Sequence, residues 1–407
     1  MKIITGGITS PKGFLAAGAH VGLRRKRKDL AIVYSHSPCV AAGVFTANIL
    51  KAAPVVWSQK VVKSEEHVKG IIINSGQANS CTGPSGAEHC DRMVAAAAKG
   101  LGCPPAQILA ASTGMIGVPI PIEKAEAGMP AVIEQLSAAR ESGTLAAEAI
   151  MTTDSFAKEF AVQLELGGKV ITIGAMAKGS GMVHPNMATM LSFITTDAAI
   201  SKELLQVALG ESTGLTYNMI SVDGDTSTND MVIALANGAA GNEPIEEIQC
   251  EDFHKFFTAF HAVNEHLAKQ IARDGEGATK LVEVSICGTQ TAEEAQKLAK
   301  SVVSSSLVKT ALFGQDANWG RILAALGRGG VWFDPGRLSM HFASKAGEVA
   351  LVHCGTPLPF DTAKASAVLG ENEIQISIDL NAGPSSARAW GCDLTYDYVR
   401  ITGTYRV

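Results

Sequence analysis

Residues 175–197 read AMAKGSGMVHPNMATMLSFITTD, and this stretch organises the rest of the chain. Lys178-Gly179-Ser180-Gly181 runs through His184, Pro185 and Asn186 to Met187-Ala188-Thr189, and an apolar run begins directly after. Two glycines and a proline permit backbone geometry closed to most residues, so the loop can present the Ala188 carbonyl to the Thr189 hydroxyl. Attack there would turn the amide into an ester by an N-to-O acyl shift, and water would then free Thr189 with an α-amine. On spacing alone the same residues also fit an anion-binding nest, and the default is an ordinary glycine turn before a strand.

A cleaved product would have a chemical use. A threonine hydroxyl is a weak nucleophile near neutral pH unless a base lies within hydrogen-bond reach. An N-terminal α-amine, with a pKa of about 7.7 to 8.0, supplies that base from the same residue.

Outward from this loop, short β-rich runs alternate with helical patterns. LAIVYS (30–35), GIIINS (70–75), QILAAST (107–113), KVITIGAM (169–176) and TMLSFITT (189–196) predict strands. Residues 85–100, 122–139, 202–213, 251–272 and 291–304 predict helices, with Asp252 and Thr291 as cap candidates. LVEVSICG, EVALVHCG and EIQISIDL open a new strand series near residue 280, which predicts a boundary between domains at 1–280 and 281–407. Such a mixture is α/β, with sheets covered by helices, and 407 residues exceed what one core usually serves.

Composition narrows the function classes. A net charge of -5 argues against nucleic acid, and the run Arg24-Arg25-Lys26-Arg27-Lys28 is too short to reverse that, reading instead as a solvated turn. The eight cysteines form no CxxC pair, which predicts buried reduced thiols and no zinc site. MKIITGGITSPKGF lacks the unbroken apolar core of a signal peptide, and no window reaches a membrane span, so a cytoplasmic protein without membrane contact is expected.

KGSGMVHPNMATMLSFITTDA resembles the cleavage motif of the ornithine acetyltransferase (glutamate N-acetyltransferase) family of arginine biosynthesis. NSGQANSCTG (74–83), ASTGMIG (111–117), MTTD (151–154), SVDGDTSTNDM (221–231), AKQIARDGEGATKL (268–281), GQDANWGRI (314–322) and AWGCDLTYDYV (389–399) resemble that family's segments in the same order. The likeness therefore spans nearly the whole chain. It implies an α/β fold, a layered αββα sandwich of the self-processing N-terminal-nucleophile type with a smaller C-terminal α/β domain. It implies cleavage between Ala188 and Thr189, Thr189 as nucleophile, and Thr113 and Gly114 as the oxyanion hole. Thr152, Lys178 and Glu276 match substrate-binding positions: Lys178 and Thr152 can hold an α-carboxylate, and Glu276 can receive a cationic δ-amine or stay near the Thr189 amine.

The implied reaction is ping-pong. Thr189 takes acetyl from N-acetylornithine and glutamate then accepts it, with no metal and no bound organic cofactor; some members also accept acetyl-CoA as donor. The two fragments should interleave and assemble as a heterotetramer of two copies of each. One feature tempers the likeness. The chain ends YVRITGTYRV, so Thr402 and Val407 stand where the family commonly has an asparagine and a threonine that contact substrate, and neither is carried over. Asp223-Gly224-Asp225 with Asn229 and Asp230 has the oxygen ligands of a hard-cation loop but not its spacing, which favours a network around the nucleophile. His184 reads as a packed or exposed histidine. The rival readings are a self-processing aminopeptidase or amidase of the same fold, in which water takes the acyl group, and a catalytically idle amino-acid-binding paralogue.

Overall fold

The computed structural model describes residues 1–64, 67–184 and 190–404. Nine strands of the described residues form one sheet, eight along a single hydrogen-bonded path with β2 branching from β3: β1 (Lys2–Ile4), β2 (Phe14–Ala19), β3 (Leu30–Phe45), β4 (Val68–Gln77), β5 (Ile108–Met115), β6 (Lys158–Leu166), β7 (Lys169–Lys178), β8 (Leu191–Thr196) and β10 (Met231–Ala236). β3 is the corner of this path. Leu30 to Ser35 pair with β2 and Leu30 to Tyr34 with β4, whereas Val40 to Phe45 pair with β10, and the register against β4 shifts between Tyr34 and Cys39. The order β1-β6-β7-β8-β10-β3-β4-β5 is thereby folded into two facing layers.

Which residue faces where follows the two-residue period of a strand. Ile71, Ile73, Leu109 and Ala111 of one layer share a buried cluster with Leu191, Phe193, Ile233 and Leu235 of the other. Residues one step along face outward. Ile72, Ile108 and Ala110 meet Met93, Val94 and Ala97 of α2 (Pro84–Leu101) and Ala125 and Met129 of α3 (Ile122–Glu134). Ile194, Val232 and Ala234 meet Leu205 and Leu209 of α5 (Lys202–Leu215) and Phe256 and Phe260 of α6 (Glu251–Arg273). The fold is thus an αββα sandwich, with α1 (Ala53–Lys63) and α4 (Arg140–Ala149) adding Val55, Val62, Ala146 and Ala149 to its inner core.

A second sheet of seven strands has the order β14-β13-β12-β15-β11-β16-β9. It combines β9 (Ile220–Ser221) with β11 (Leu281–Thr289), β12 (Ser339–Ser344), β13 (Gly347–His353), β14 (Thr356–Pro357), β15 (Glu373–Asp379) and β16 (Ser385–Cys392). Helices α7 (Ala292–Val303), α8 (Ser306–Phe313), α9 (Trp319–Gly327) and α10 (Thr362–Leu369) accompany it, and α11 (Tyr396–Thr404) follows. The core is continuous through α6, whose Val263, Leu267 and Ile271 join Ile173 of β7 to Val284 and Ile376 of the second sheet. Truncating Phe256 or Phe260 there would cost about 3 to 5 kcal/mol. No helix of the described residues is long and apolar enough to cross a membrane.

Local chemistry altered several expectations. The helix expected over 122–139 ends at Glu134, because Ser137 leaves it to bridge Ala16, and α4 starts afresh at Arg140. Cys250, not Asp252, caps α6, its thiol accepting from Phe253 N; Asp252 lies in the first turn, where its charge meets the helix dipole. Thr291 caps α7 in a reciprocal box with Glu294. Among the cysteines Cys39, Cys90 and Cys392 are buried, with the Cys39 and Cys90 thiols pushed up to about 12 by burial, but Cys81, Cys287 and Cys354 are exposed. Nor is the basic run only a solvated turn: Arg24 and Arg27 donate to the carbonyls of Met151 and Thr152 at 2.7 and 3.0 Å.

Candidate active site

β4 and β5 run parallel and end together, with Gly76 opposite Gly114 and Ser75 opposite Thr113. Position 114 requires glycine. Its φ is +129°, and a Cβ would stand 2.3 Å from the Gly76 carbonyl carbon and 2.4 Å from its oxygen. The NSGQANSCTG segment braces this tip from behind, since Ser112 Oγ donates to Asn74 Oδ1 and Asn74 Nδ2 to the Gln77 carbonyl at 3.0 Å. Asn229 clasps it from the other side, donating to the carbonyls of Ala78 and Ser112 at 2.6 and 2.8 Å. Thr113 and Gly114 thereby border a cavity of about 250 Å³.

Thr152, Lys178 and Glu276 border the same cavity, so residues named from separate sequence segments converge. Ala188, Thr189 and Val407 lie outside the described residues. Gly181 and Met182 ahead of that stretch, and Met190 and Leu191 after it, line the cavity.

The cavity floor is charged and buried. Lys178 Nζ donates to Thr152 Oγ1 at 2.7 Å and approaches Thr113 Oγ1 at 3.4 Å, with Asp154 Oδ2 3.8 Å away. Burial pushes the Lys178 ammonium below its ordinary value, opposed by the nearby carboxylates, Asp154 foremost. Asp154 is itself buried, which alone would raise its carboxyl; the ammonium groups of Lys178 and Lys158 and the hydrogen bonds it receives outweigh that and hold it well below the usual range. Lys158, equally buried, bridges Asp154 at 2.8 Å to Asp274.

Glu276 is set by its backbone and by a distant helix. Its N–H donates to the Ser180 carbonyl at 2.8 Å, and Thr402 Oγ1 of α11 donates to Glu276 Oε2 at 2.7 Å. Gly181 lies so close that a Cβ would stand 2.4 Å from the Glu276 carboxyl carbon. Thr402, set aside on sequence grounds, therefore reaches the site and borders the cavity. Tyr398, one helical turn earlier, lines it too, its phenol pushed up to about 12 by burial and by Asp223.

The SVDGDTSTNDM segment forms the remaining wall with Asp223, Asp225 and Asp230. Asp223 clamps the loop that leads toward position 189, accepting from Met182 N at 2.6 Å and Val183 N at 2.9 Å, and Met182 adopts φ +55° there. His184 Nδ1 meets Ser221 Oγ at 3.0 Å, and Thr226 Oγ1 donates to the His184 carbonyl at 2.9 Å. Among the described residues no group of three His, Cys, Asp or Glu side chains is arranged to hold a metal ion. Asp154, Lys158, Asp274 and Tyr398 were not singled out by sequence reasoning. Asp154 stood inside the MTTD motif and Asp274 and Tyr398 inside others, so the motifs held the signal, while Lys158 carried none.

A family model described as the ArgJ family matches residues 15–407. Two bacterial relatives are each named arginine biosynthesis bifunctional protein ArgJ. The one from Symbiobacterium thermophilum is 52% identical over 100% of both chains, and the one from Thermotoga neapolitana is 49% identical over 97% of this chain and 99% of its own. A crystal structure of arginine biosynthesis bifunctional protein ArgJ from Bacillus halodurans is similar at 46% identity and a TM-score of 0.50, covering 53% of this chain and 100% of that one.

Proposed function

The chain belongs to the ArgJ family, and on that premise we propose that it cuts itself between Ala188 and Thr189 and carries acetyl from N-acetylornithine to glutamate on the Thr189 hydroxyl, in arginine biosynthesis. One observation carries this reading: Met190, bonded directly to Thr189, lines the cavity that also holds Thr113, Gly114, Thr152, Lys178 and Glu276. The residue that follows the proposed nucleophile thus borders the same space as a strand-tip amide, hydroxyls, an ammonium and a carboxylate.

In the first half-reaction the Thr189 α-amine takes the hydroxyl proton as Oγ1 attacks the acetyl carbonyl. The Gly114 N–H and Thr113 hydroxyl meet the developing oxyanion, a type of contact worth about 2.7 to 4 kcal/mol per donor. Lys178 and Thr152 hold the substrate α-carboxylate, and Glu276 faces the cationic end. The tetrahedral intermediate collapses to the acetyl-threonine ester, and the ornithine amine leaves with the proton returned by the α-amine. Glutamate then enters the same pocket, its amine attacks the ester, and Thr189 recovers its hydroxyl as N-acetylglutamate departs. Neither step calls for a metal or bound organic cofactor. The relatives are named bifunctional, and acetyl-CoA is a second donor that would form the same ester.

Intact mass spectrometry tests the reading. Wild type should give fragments 1–188 and 189–407, by proportion about 20 and 23 kDa of the 42.4 kDa chain. Thr189→Ala should remain one chain. N-acetylornithine should add one acetyl to the larger fragment, removed on adding glutamate; acetyl-CoA replaces it to read the second donor. Acetyl lost equally fast without glutamate would instead favour the amidase, and an adduct on the smaller fragment would rule out Thr189.

A further inference from the structure

Beneath the pocket floor four ionisable side chains alternate in sign, Lys178, Asp154, Lys158 and Asp274, and they pass from the cavity into the protein interior. Such a chain is costly to bury, and removing any one member leaves an uncompensated charge. Asp154 is its hub. Oδ1 accepts from Lys158 Nζ at 2.8 Å and from Gly179 N at 2.7 Å; Oδ2 accepts from Thr152 N at 3.0 Å and lies 3.8 Å from Lys178 Nζ. One carboxylate thus ties the turn after α4 to the end of β7, and holds the backbone on both sides of the cavity lysine.

We propose that Asp154 is the positioning residue that sets the location and the charge of Lys178 in the acetyl-transfer pocket, with Lys158 as the opposing buried charge. The proposal rests on the reading of the pocket given above. Charged groups facing Lys178 come from several elements. Asp154, Asp230 and Glu276 favour its ammonium form, and Lys158 disfavours it, against a desolvation cost that is the largest influence of all. Lys158 Nζ is shared between Asp154 and Asp274, so Asp274 draws it partly away and leaves more of the Asp154 field for Lys178.

The geometry yields shifts of opposite sign. If ionised Lys178 holds the substrate carboxylate, kcat/KM for N-acetylornithine falls as pH rises through the Lys178 pKa, giving an alkaline limb. Asp154→Asn preserves side-chain shape and an acceptor oxygen while removing the charge, so the limb should move down by at least about one pH unit. Lys158→Met removes the opposing charge, so the limb should move up by roughly half a unit or more. Asp274→Asn, one step further away, should move it down by less than Asp154→Asn, and carries the downward arm should Asp154→Asn fail to fold.

The experiment measures kcat/KM for N-acetylornithine from pH 6 to 10 in the processed wild type and the three variants, with thermal midpoints alongside. Opposite displacement of the limb by Lys158→Met and by the carboxylate variants supports the proposal, since a merely structural loss moves activity down in all of them. A wild-type profile without an alkaline limb, a limb unmoved in every variant, or movement in one common direction overturns it. Failure of wild type to transfer acetyl at all would count against the earlier reading instead.

Discussion

Residues ahead of position 189 give the pocket hydroxyls, a strand-tip amide and one ammonium, in Thr113, Thr152, Gly114 and Lys178, whereas residues after it give carboxylates, in Asp223, Asp225, Asp230 and Glu276. The walls also differ in how they are held. The first is fixed by backbone, at paired strand ends where a glycine is sterically required. The second is fixed by hydrogen bonds among loops and α11. The substrate proposed above, with an α-carboxylate at one end and a cation at the other, would use both, so each half of the chain alone would be half a site. Cutting between them need not release either, because β8 pairs with β7 on one side and β10 on the other within a continuous sheet. The contrast implies that lesions at the strand tip of the first wall, at Thr113 and Gly114, would strike the chemical step, and that lesions in the second would strike binding of the cationic donor.

Gly114→Ala should break the first wall most severely. The new Cβ would enter the Gly76 backbone at a φ of +129°, so the strand tip must shift and carry the Gly114 N–H off target. Loss of one oxyanion donor predicts a fall in kcat of about 100- to 1,000-fold. Steady-state kinetics on the processed enzyme check this, with KM for N-acetylornithine changing little. A large rise in KM at unchanged kcat would erase the distinction between the walls.

Glu276→Gln addresses the second wall more gently. The amide oxygen can still accept from Thr402, so the local structure is retained and only the charge is lost. KM for N-acetylornithine should rise about tenfold, equivalent to roughly 1.4 kcal/mol, with kcat changing less than about threefold. Glutamate has no cationic side chain, so its KM should move less. Equal increases for both substrates would mean that Glu276 does not recognise the δ-amine end.

The two walls were unequally legible in the sequence. Thr113, Gly114, Thr152, Lys178 and Glu276 stand in long, specific motifs; the apolar runs located the strands whose ends carry Thr113, Gly114 and Lys178, whereas Thr152 and Glu276 lie in turns that only folding brings to the cavity. The buried ion chain was not legible: nothing separates Lys158 from a solvated lysine until folding leaves it 1% exposed. Strand β10, MVIALA, was missed for the reverse reason. Apolar on both faces, it has no alternation and cannot be told from a helix segment by period. Thr402 was discounted because its amino acid departs from the family pattern, yet position, not identity, brings its hydroxyl to Glu276.

The smallest expected effect lies at the seam between the walls, where His184 of the first half meets Ser221 of the second. Burial, with a contribution from Lys300, lowers the His184 imidazole to about 4. In the unfolded chain the ring titrates near about 6.5, so between those values the unfolded state binds more protons and folding weakens as pH falls. His184→Asn keeps a polar group toward Ser221 and removes this titration. Thermal midpoints measured from about pH 7 to 4 should fall less steeply in the variant than in wild type, and it is the difference in slope that isolates the imidazole from carboxylates titrating over the same range. Because the ring is only half-buried, that difference should be modest. Parallel slopes would mean that the seam admits the charged ring, and that the two halves meet there through a wetter contact than the Ser221 hydrogen bond implies.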